Sequence, residues 1–411
     1  MAAPLALLDP CLPADGAFRA AVSSPSAAKT RPASRQGRHL ALRRDPIRHI
    51  RVCIPARNEA ARFPAMLDAM AAAVVRAQRS GLGVELVVLL DGCTDDSRAF
   101  LSRAARHFPC RLRTPAIAAF GTSHAGRARR AAMEDGMMGV TAPAATALLT
   151  TDADTRVDAD WIVASAAALA DADLVAGMVD WDDETPVPEL TRQERYFDRL
   201  HRHRRRIDPV AHDAPDPHHK CYGASLGVRA GAYRAVGGLP ERPSSEDVAL
   251  CNAIRLGGFR MRQDRSVRVL TSTRRRGRAQ GGFSDAILSV EHQLARGEGL
   301  RVDCPKKLTE YYQASARLRR AFEQGLREDT ATLANMCGDD CVGTVLPEFE
   351  LEQAWASAPS ADAFVTRLLD PLPAAPRVRL EEAEAALSEL EARSGSTDAV
   401  RGRADCRRER P

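Results

Sequence analysis

Four carboxylates and a run of arginines in this chain have the types and spacing to do chemistry. Asp152-Ala153-Asp154 comes directly after the apolar run Ala147-Leu148-Leu149-Thr150-Thr151. Two carboxylates one residue apart can share a hard divalent cation, and Mg²⁺ and Mn²⁺ take oxygen ligands while still binding phosphates. The plainer reading of an isolated Asp-x-Asp is a surface turn or a helix cap. Asp91 follows Leu86-Val87-Val88-Leu89-Leu90. A carboxylate there can accept from a base ring N–H or a ribose hydroxyl, although Asp91-Gly92 is also a common turn pair. Asp95 and Asp96 fit a helix start better than a site. Asp247 lies in Pro243-Ser-Ser-Glu-Asp-Val-Ala-Leu250. Acids are favoured in a first helical turn on electrostatic grounds alone; the chemical reading is a general base for an attacking hydroxyl. Arg274, Arg275, Arg276 and Arg278 make a basic run suited to holding a departing diphosphate.

These residues need a scaffold that brings distant segments together. His49–Ile54 alternates like a strand and stops at Pro55. Phe63–Arg79 has helical spacing and ends at Ser80-Gly81. Val84–Leu90 is apolar apart from Glu85, as a strand covered on both faces should be. Ser97–His107, Ala125–Gly139 and Ala159–Ala170 read as helices, and Thr146–Thr151 and Leu174–Val179 as strands. Alternation of this kind predicts an α/β fold with a mixed, mostly parallel sheet and helices on both faces. In such sheets ligands sit at the carboxyl ends of the strands, where the first three acidic clusters fall.

Composition sets outer limits. The chain has 411 residues, 45% hydrophobic and 27% charged, which suits a large soluble domain with attachments. A net charge of +5 over this length does not imply nucleic acid, and no helix-turn-helix, finger or aromatic platform accompanies the basic run. The ten cysteines form no paired metal-type spacing, which favours a reducing, cytoplasmic setting. No apolar stretch reaches the about 18 residues of a membrane span. Residues 1–48 are rich in Ala, Pro, Ser and Arg; they overlap a transit peptide in composition but are expected to form a disordered tail. The expected catalytic domain covers 49–303, with a nucleotide-binding half at 49–155 and an acceptor-side half at 156–303. Within the latter, 191–220 is a basic insert holding five of the ten histidines. Its charge suggests an anionic acceptor or peripheral contact with an acidic membrane face. Residues 304–411 read as a helical C-terminal extension with a disordered end.

Taken in order, the motifs resemble the family 2 glycosyltransferases, which have the GT-A fold. The matching pieces are Ile54-Pro-Ala-Arg-Asn-Glu59, Asp91-Gly-Cys-Thr-Asp-Asp96, Gly126-Arg-Ala-Arg-Arg-Ala-Ala132 and Thr151-Asp-Ala-Asp-Thr155. They continue with Tyr222-Gly-Ala-Ser-Leu-Gly-Val-Arg229, Val236-Gly-Gly238, Ser245-Glu-Asp-Val-Ala-Leu250 and Ser272-Thr-Arg-Arg-Arg-Gly-Arg278. The match spans about residues 49–285 and rests on order and spacing rather than on any single motif.

The resemblance implies a nucleoside-diphosphate sugar donor and a divalent cation. It places Pro55, Arg57, Glu59 and Asp91 at the nucleotide, joined by Arg129 or Arg130. Asp152 and Asp154 match the sugar and metal motif, Asp154 being the better direct ligand. Asp247 matches the base of the inverting mechanism, and Arg275 and Arg278 the diphosphate-holding loop. Glu246, Ser225 and Lys220 fall on the acceptor side. Two departures stand out. Gly223-Ala224-Ser225 replaces the usual Gly-Ala-Asn, and Cys93 replaces the small hydroxyl of Gly-Ser-Thr-Asp. The alternatives are a nucleotidyltransferase or retaining transferase of related fold, since fold does not fix chemistry, and a non-catalytic sugar- or partner-binding protein. A zinc site from His212, His218, His219 and Cys221 is a further reading of the irregular His cluster.

Overall fold

The computed structural model describes residues 44–118, 124–182, 188–275, 277, 282–325, 348–369 and 375–405. The expected N-terminal tail thus lies almost wholly outside the described residues, as do Arg278 and the last six positions.

The first half alternates as its periodicity requires. In order it holds β1 (His49–Ala56), α1 (Phe63–Arg79), β2 (Gly83–Asp91), α2 (Ser97–Ala104), β3 (Arg111–Arg113), β4 (Ala116–Ile117), α3 (Ala125–Met137) and β5 (Thr146–Thr150). Then come β6 (Arg156–Val157), α4 (Trp161–Ala168), β7 (Leu174–Trp181), α5 (Pro188–Ile207), β8 (Leu226–Arg229), α6 (Ala230–Ala235), α7 (Glu246–Leu256) and β9 (Met261–Thr271). The C-terminal part has α8 (Phe283–Ala295), β10 (Arg301–Asp303), α9 (Pro305–Gln324), α10 (Glu348–Ser357), α11 (Ala361–Leu369), β11 (Arg377–Arg379) and α12 (Leu380–Asp405).

The main sheet runs β3-β2-β1-β5-β8-β7-β9-β6, with β4 also on β2. β1 pairs in parallel with both β2 and β5, and β7 in parallel with β9, while β8 is antiparallel to β5 and β7. The sheet is therefore mixed and mostly parallel, as expected. Strand residues alternate between two cores, following the two-residue period of a strand. Val52, Ile54, Leu86, Val88, Leu90 and Leu149 face α1, α2 and α4 through Phe63, Met66, Leu101 and Trp161. Cys53, Leu89 and Leu148 face α3, α6 and α7 through Met133, Tyr233 and Leu250.

Pro55 does not end its strand: β1 continues to Ala56 along β2. Pairing with β5 stops at Cys53, so Pro55 sits where one edge of the strand is already open and no N–H is needed on that side. The basic insert is also not a separate loop in its first part, since α5 takes it to Ile207. Leu190, Tyr196, Phe197 and Leu200 form its buried stripe, against Ile287, Leu308, Tyr312, Leu380 and Leu387 of the C-terminal helices. The extension is joined to the α/β unit further by the antiparallel ribbon β10–β11. Among the described residues no helix is long and apolar enough to cross a membrane.

Candidate active site

Parallel pairing puts the ends of β1, β2 and β5 on one edge, which delivers Glu59, Asp91, Asp152 and Asp154 there from loops far apart in sequence. Because β8 runs antiparallel from Leu226, opposite Thr150, its start lies on the same edge and brings Tyr222 and Gly223 with it. β9, parallel to β7, ends there too and hands over Arg274.

The strand-end loops are held by local chemistry. Asn58 has a left-handed φ of 54°, and its Oδ1 accepts from the N–H of Thr94 at 2.8 Å and of Asp95 at 3.3 Å. Asp95 accepts from the N–H groups of Ala60 (3.0 Å) and Ser97 (3.1 Å), tying the first loop to the start of α2. The Cys93 thiol fills the gap between them, donating to the Ala56 carbonyl at 3.4 Å. Among the described residues the other non-glycine residue with a left-handed backbone is Ser245, φ 57°, just before the Glu246-Asp247 pair. Such positions are strained and persist where the surroundings over-determine them.

Arg129, buried on α3, is the hub. Its Nε donates to Glu246 at 3.0 Å, Nη2 to Asp152 at 2.8 Å, and Nη1 to Thr150 Oγ1 at 3.1 Å and the Gly223 carbonyl at 2.9 Å. Burial opposes its charge, but Asp152 and Glu246 more than offset that and keep it protonated. A Cβ at Gly223 would come within 2.6 Å of the guanidinium carbon, so any larger residue there would push Arg129 out of these contacts.

Asp247 is part-buried, with Oδ2 accepting from the Gly223 N–H at 2.8 Å and Oδ1 from its own neighbour Val248 at 2.8 Å. Withdrawal from water, reinforced by the Glu246 charge and opposed by Arg129, pushes its carboxyl up to about 7. Burial also raises Asp154, to about 6; Arg274 opposes this while Asp152 and Glu59 add to it. Arg274 forks onto both oxygens of Glu59 at 2.7 Å and reaches Asp154 at 3.0 Å. Arg57 stands 4.0 Å from the buried Asp91.

The donor set suits a hard cation. Arg129 engages one oxygen of Asp152 and Arg274 one oxygen of Asp154, which leaves a second oxygen on each carboxylate with no side-chain partner among the described residues. Two carboxylates completed by phosphate and water are a common Mg²⁺ or Mn²⁺ arrangement. Among the described residues no group of three or more His, Cys, Asp or Glu side chains could hold a metal by itself, so the zinc reading of the histidines has no geometric support.

Several expected site residues lie elsewhere. Arg130 turns from the cluster to the carbonyls of Leu239 (2.8 Å) and Gly237 (3.4 Å), because successive helix positions point about 100° apart. Arg275 pairs with Glu291 of α8, so Arg274 and not its neighbour enters the cluster. Arg278 is outside the described residues. Ser225 is fully buried and accepts from the Trp161 indole at 3.0 Å; it is a core contact rather than an acceptor ligand. Lys220 is buried as well, donating to the Val179 carbonyl at 2.6 Å and to Glu194 at 3.1 Å, over the Trp181 ring. Glu246 does reach the cluster, but as a partner of Arg129.

Lys220 belongs to a buried network that the residue spacing did not reveal. His219 contacts Asp198 at 2.9 Å and Glu194 at 3.1 Å. Burial opposes the charge of His219, but the two acids hold it up at about 9. Glu194 in turn lies 3.4 Å from the Tyr222 hydroxyl, beside the Gly223 segment. Of the seven arginines of the basic insert four pair with acids, Arg192 with Glu381 and Glu384, Arg199 with Glu391, Arg202 with Asp216 and Arg205 with Asp213, while Arg204 covers Tyr312 and Arg195 and Arg206 are exposed. Through Arg192 and Arg199 the insert is thus a seat for the C-terminal helix α12.

No protein-family model and no curated protein matches the sequence. Among solved structures the chain is similar to residues 1–349 of Staphylococcus aureus TarS in complex with UDP-GlcNAc, at 12% identity and a TM-score of 0.42, over 79% of this chain and 90% of that one. It is also similar to the mannosyltransferase PcManGT of Pyrobaculum calidifontis in complex with GDP-Man and Mn²⁺, at 14% identity and a TM-score of 0.41, over 86% and 79% of the two chains. Likenesses of this size are too slight to carry an argument about substrate or mechanism.

Proposed function

We propose that this chain is a glycosyltransferase that moves a sugar from a nucleoside diphosphate to an acceptor hydroxyl with inversion. The observation that supports this reading is the delivery of Asp91, Asp152, Asp154 and Asp247 to one sheet edge, with Arg57 beside Asp91, Arg129 on Asp152 and on the Gly223 segment that holds Asp247, and Arg274 on Asp154. Asp91, with Arg57 and the Pro55–Glu59 loop, takes the nucleoside. Asp152 and Asp154 hold a divalent cation, which when bound neutralises the donor's diphosphate. Arg274 supplies further positive charge where the diphosphate departs.

Asp247 takes the proton of the acceptor hydroxyl as that oxygen bonds to the anomeric carbon. The bond from that carbon to the diphosphate oxygen breaks, and the nucleoside diphosphate leaves with the electron pair. A carboxyl raised to about 7 suits this role, because a base titrating near the working pH combines the right protonation state with basicity. Its two backbone tethers, from Gly223 to Oδ2 and from Val248 to Oδ1, fix the plane of the carboxylate, and each oxygen keeps a second lone pair for proton transfer.

The test is hydrolysis of UDP-, GDP- and dTDP-sugars with Mn²⁺ or Mg²⁺, comparing wild type with Asp154→Ala. Metal-dependent release of one nucleoside diphosphate, lost in the variant, is the expected result. No turnover and no calorimetric binding of any donor would instead favour a non-catalytic binding protein.

A further inference from the structure

Residues 218–222 belong to no helix or strand, yet the peptide that follows them carries the tether of the proposed base. The Gly223 N–H donates to Asp247 at 2.8 Å, and the Gly223 carbonyl accepts from Arg129 at 2.9 Å. No strand ladder places that peptide. Instead, three side chains of the preceding segment converge on one carboxylate of α5. Glu194 lies 3.1 Å from His219 Nε2, 3.1 Å from Lys220 Nζ and 3.4 Å from the Tyr222 hydroxyl. Glu194, His219 and Lys220 are all buried, while Tyr222 is half-buried beside the site.

The neighbours of this clamp fix it to the frame. Asp198, one turn further along α5, takes the other nitrogen of His219 at 2.9 Å and is itself held by Arg265 of β9 at 2.9 Å. Lys220 also donates to the Val179 carbonyl of β7 at 2.6 Å. Burial opposes the charge of Glu194, but His219 and Lys220 keep it ionised. A buried ion cluster is weak evidence for stability, since apolar residues of the same volume often serve as well. What this one supplies is a single geometry for three side chains directly before the peptide that holds Asp247.

We propose that Glu194 is a positioning residue for the transfer reaction: its carboxylate clamps His219, Lys220 and Tyr222 and so holds the Gly223 amide against Asp247. The inference rests on the reading of Asp247 as the base. Without the clamp the 218–222 segment shifts, and Asp247 loses the amide bond that favours its ionised form. The charged and titratable groups about Asp247 are Glu246, Arg129 and Tyr222, and Glu194→Gln replaces none of them.

The experiment follows hydrolysis of the UDP-, GDP- and dTDP-sugars with Mn²⁺ on the full chain, water serving as acceptor. Carbon NMR of labelled aspartate carboxyls follows Asp247 itself, its signal assigned with Asp247→Asn. Glu194→Gln should lower kcat about tenfold to a hundredfold, as displacement of a reacting group does. It should leave the donor KM unchanged and move the Asp247 midpoint upward from about 7. Adding Lys220→Met removes both buried charges together, so the melting temperature should return towards wild type while kcat stays low. Recovery of kcat along with the melting temperature would show a purely structural role and overturn the proposal. Tyr222→Phe deletes one hydroxyl from a half-buried ring; it should fold as wild type and show the same changes on a smaller scale. Unchanged kcat and midpoint in that variant would overturn the proposal even where Glu194→Gln does not fold. A wild type that hydrolyses no donor, or an Asp247→Asn variant that hydrolyses it normally, would overturn the reading of Asp247 as base and the proposal with it. An active wild type whose kcat and midpoint Glu194→Gln leaves unmoved would overturn the proposal alone.

Discussion

The strand-end cluster and the α5–α12 seam use the same residue types to opposite effect. Along the seam Arg192 and Arg199 meet acids of α12, and further along α5 Arg202 and Arg205 meet acids of the loop that follows it; all but the last of these pairs are partly open to solvent. In the cluster the acids outnumber the arginines: Glu59, Asp91, Asp152, Asp154, Glu246 and Asp247 crowd around Arg57, Arg129 and Arg274, and the loops that carry them contain both left-handed non-glycine residues. An arrangement that serves only stability would neutralise or expose these carboxylates. Keeping Asp154 and Asp247 withdrawn from water, with raised pKa values, is what a site awaiting a cation and a proton requires.

The sharpest way to separate the two regions is Asp247→Asn. Loss of a general base should lower donor-to-acceptor transfer by about 10²–10⁴-fold. In the wild type the transfer rate should rise with pH and level off above about 7, as Asp247 ionises. Stability should move the other way. A carboxyl raised in the folded state from 3.8 to about 7 binds its proton more tightly there, so its contribution is full below about 4 and is lost as pH rises through 7. The Asn variant gives up one of the two backbone N–H bonds that the carboxylate accepts, at every pH; on top of that constant loss, its stability relative to wild type should rise by about 1–2 kcal/mol between pH 4 and pH 8, after allowance for the partial exposure of Asp247. A stability difference that does not change between pH 4 and pH 8 would show that the Asp247 carboxyl is not raised and would mark the residue as structural.

Arg129→Met asks the reverse question of the same cluster. It removes the one buried cation and leaves Asp152 and Glu246 facing each other without it. Breaking a buried pair from one side costs about 3–5 kcal/mol, which denaturant titration would read directly. Next in size is the choice between adjacent arginines. Arg274→Ala should cost about a hundredfold in turnover, the loss typical of a single charge-stabilising donor. Arg275→Ala, which only frees Glu291, should change turnover little. Equal effects from the two would mean that the loop rearranges around the donor.

That last pair also shows where the sequence was readable and where it was not. β1, β2, β5 and β7 announce themselves as apolar runs, and their parallel order follows from the intervening helices, so the edge carrying Asp91, Asp152 and Asp154 could be foreseen. β3, β4 and β6 are two or three residues long and exist only because a neighbour pairs with them, so no periodicity marks them. A run of four arginines gives no hint which one turns inward; that depends on where Glu59 lies in space. In α5 the arginines masked a helical stripe at Leu190, Tyr196, Phe197 and Leu200. Matching that stripe with Glu381, Glu384 and Glu391, spaced by helical turns, would have revealed the seam. Ser225 and Lys220 looked like acceptor contacts because of their place in the chain, but each is held by a buried partner, Trp161 and Glu194.

The smallest effect concerns the seam itself. Arg192 is largely open to water, so reversing it to Glu should cost only about 0.2–1 kcal/mol, which high salt should reduce further. The partner change Glu384→Arg on top of it should recover most of the loss, because the geometry of the pair is kept with its signs exchanged. Transfer activity should stay at the wild-type level in both variants, since neither residue touches the strand-end cluster. A loss of acceptor affinity in Arg192→Glu that the exchanged pair does not restore would mean that the charge of α5 acts outward on substrate, and that the contrast between a paired seam and an unbalanced site is weaker than the contacts suggest.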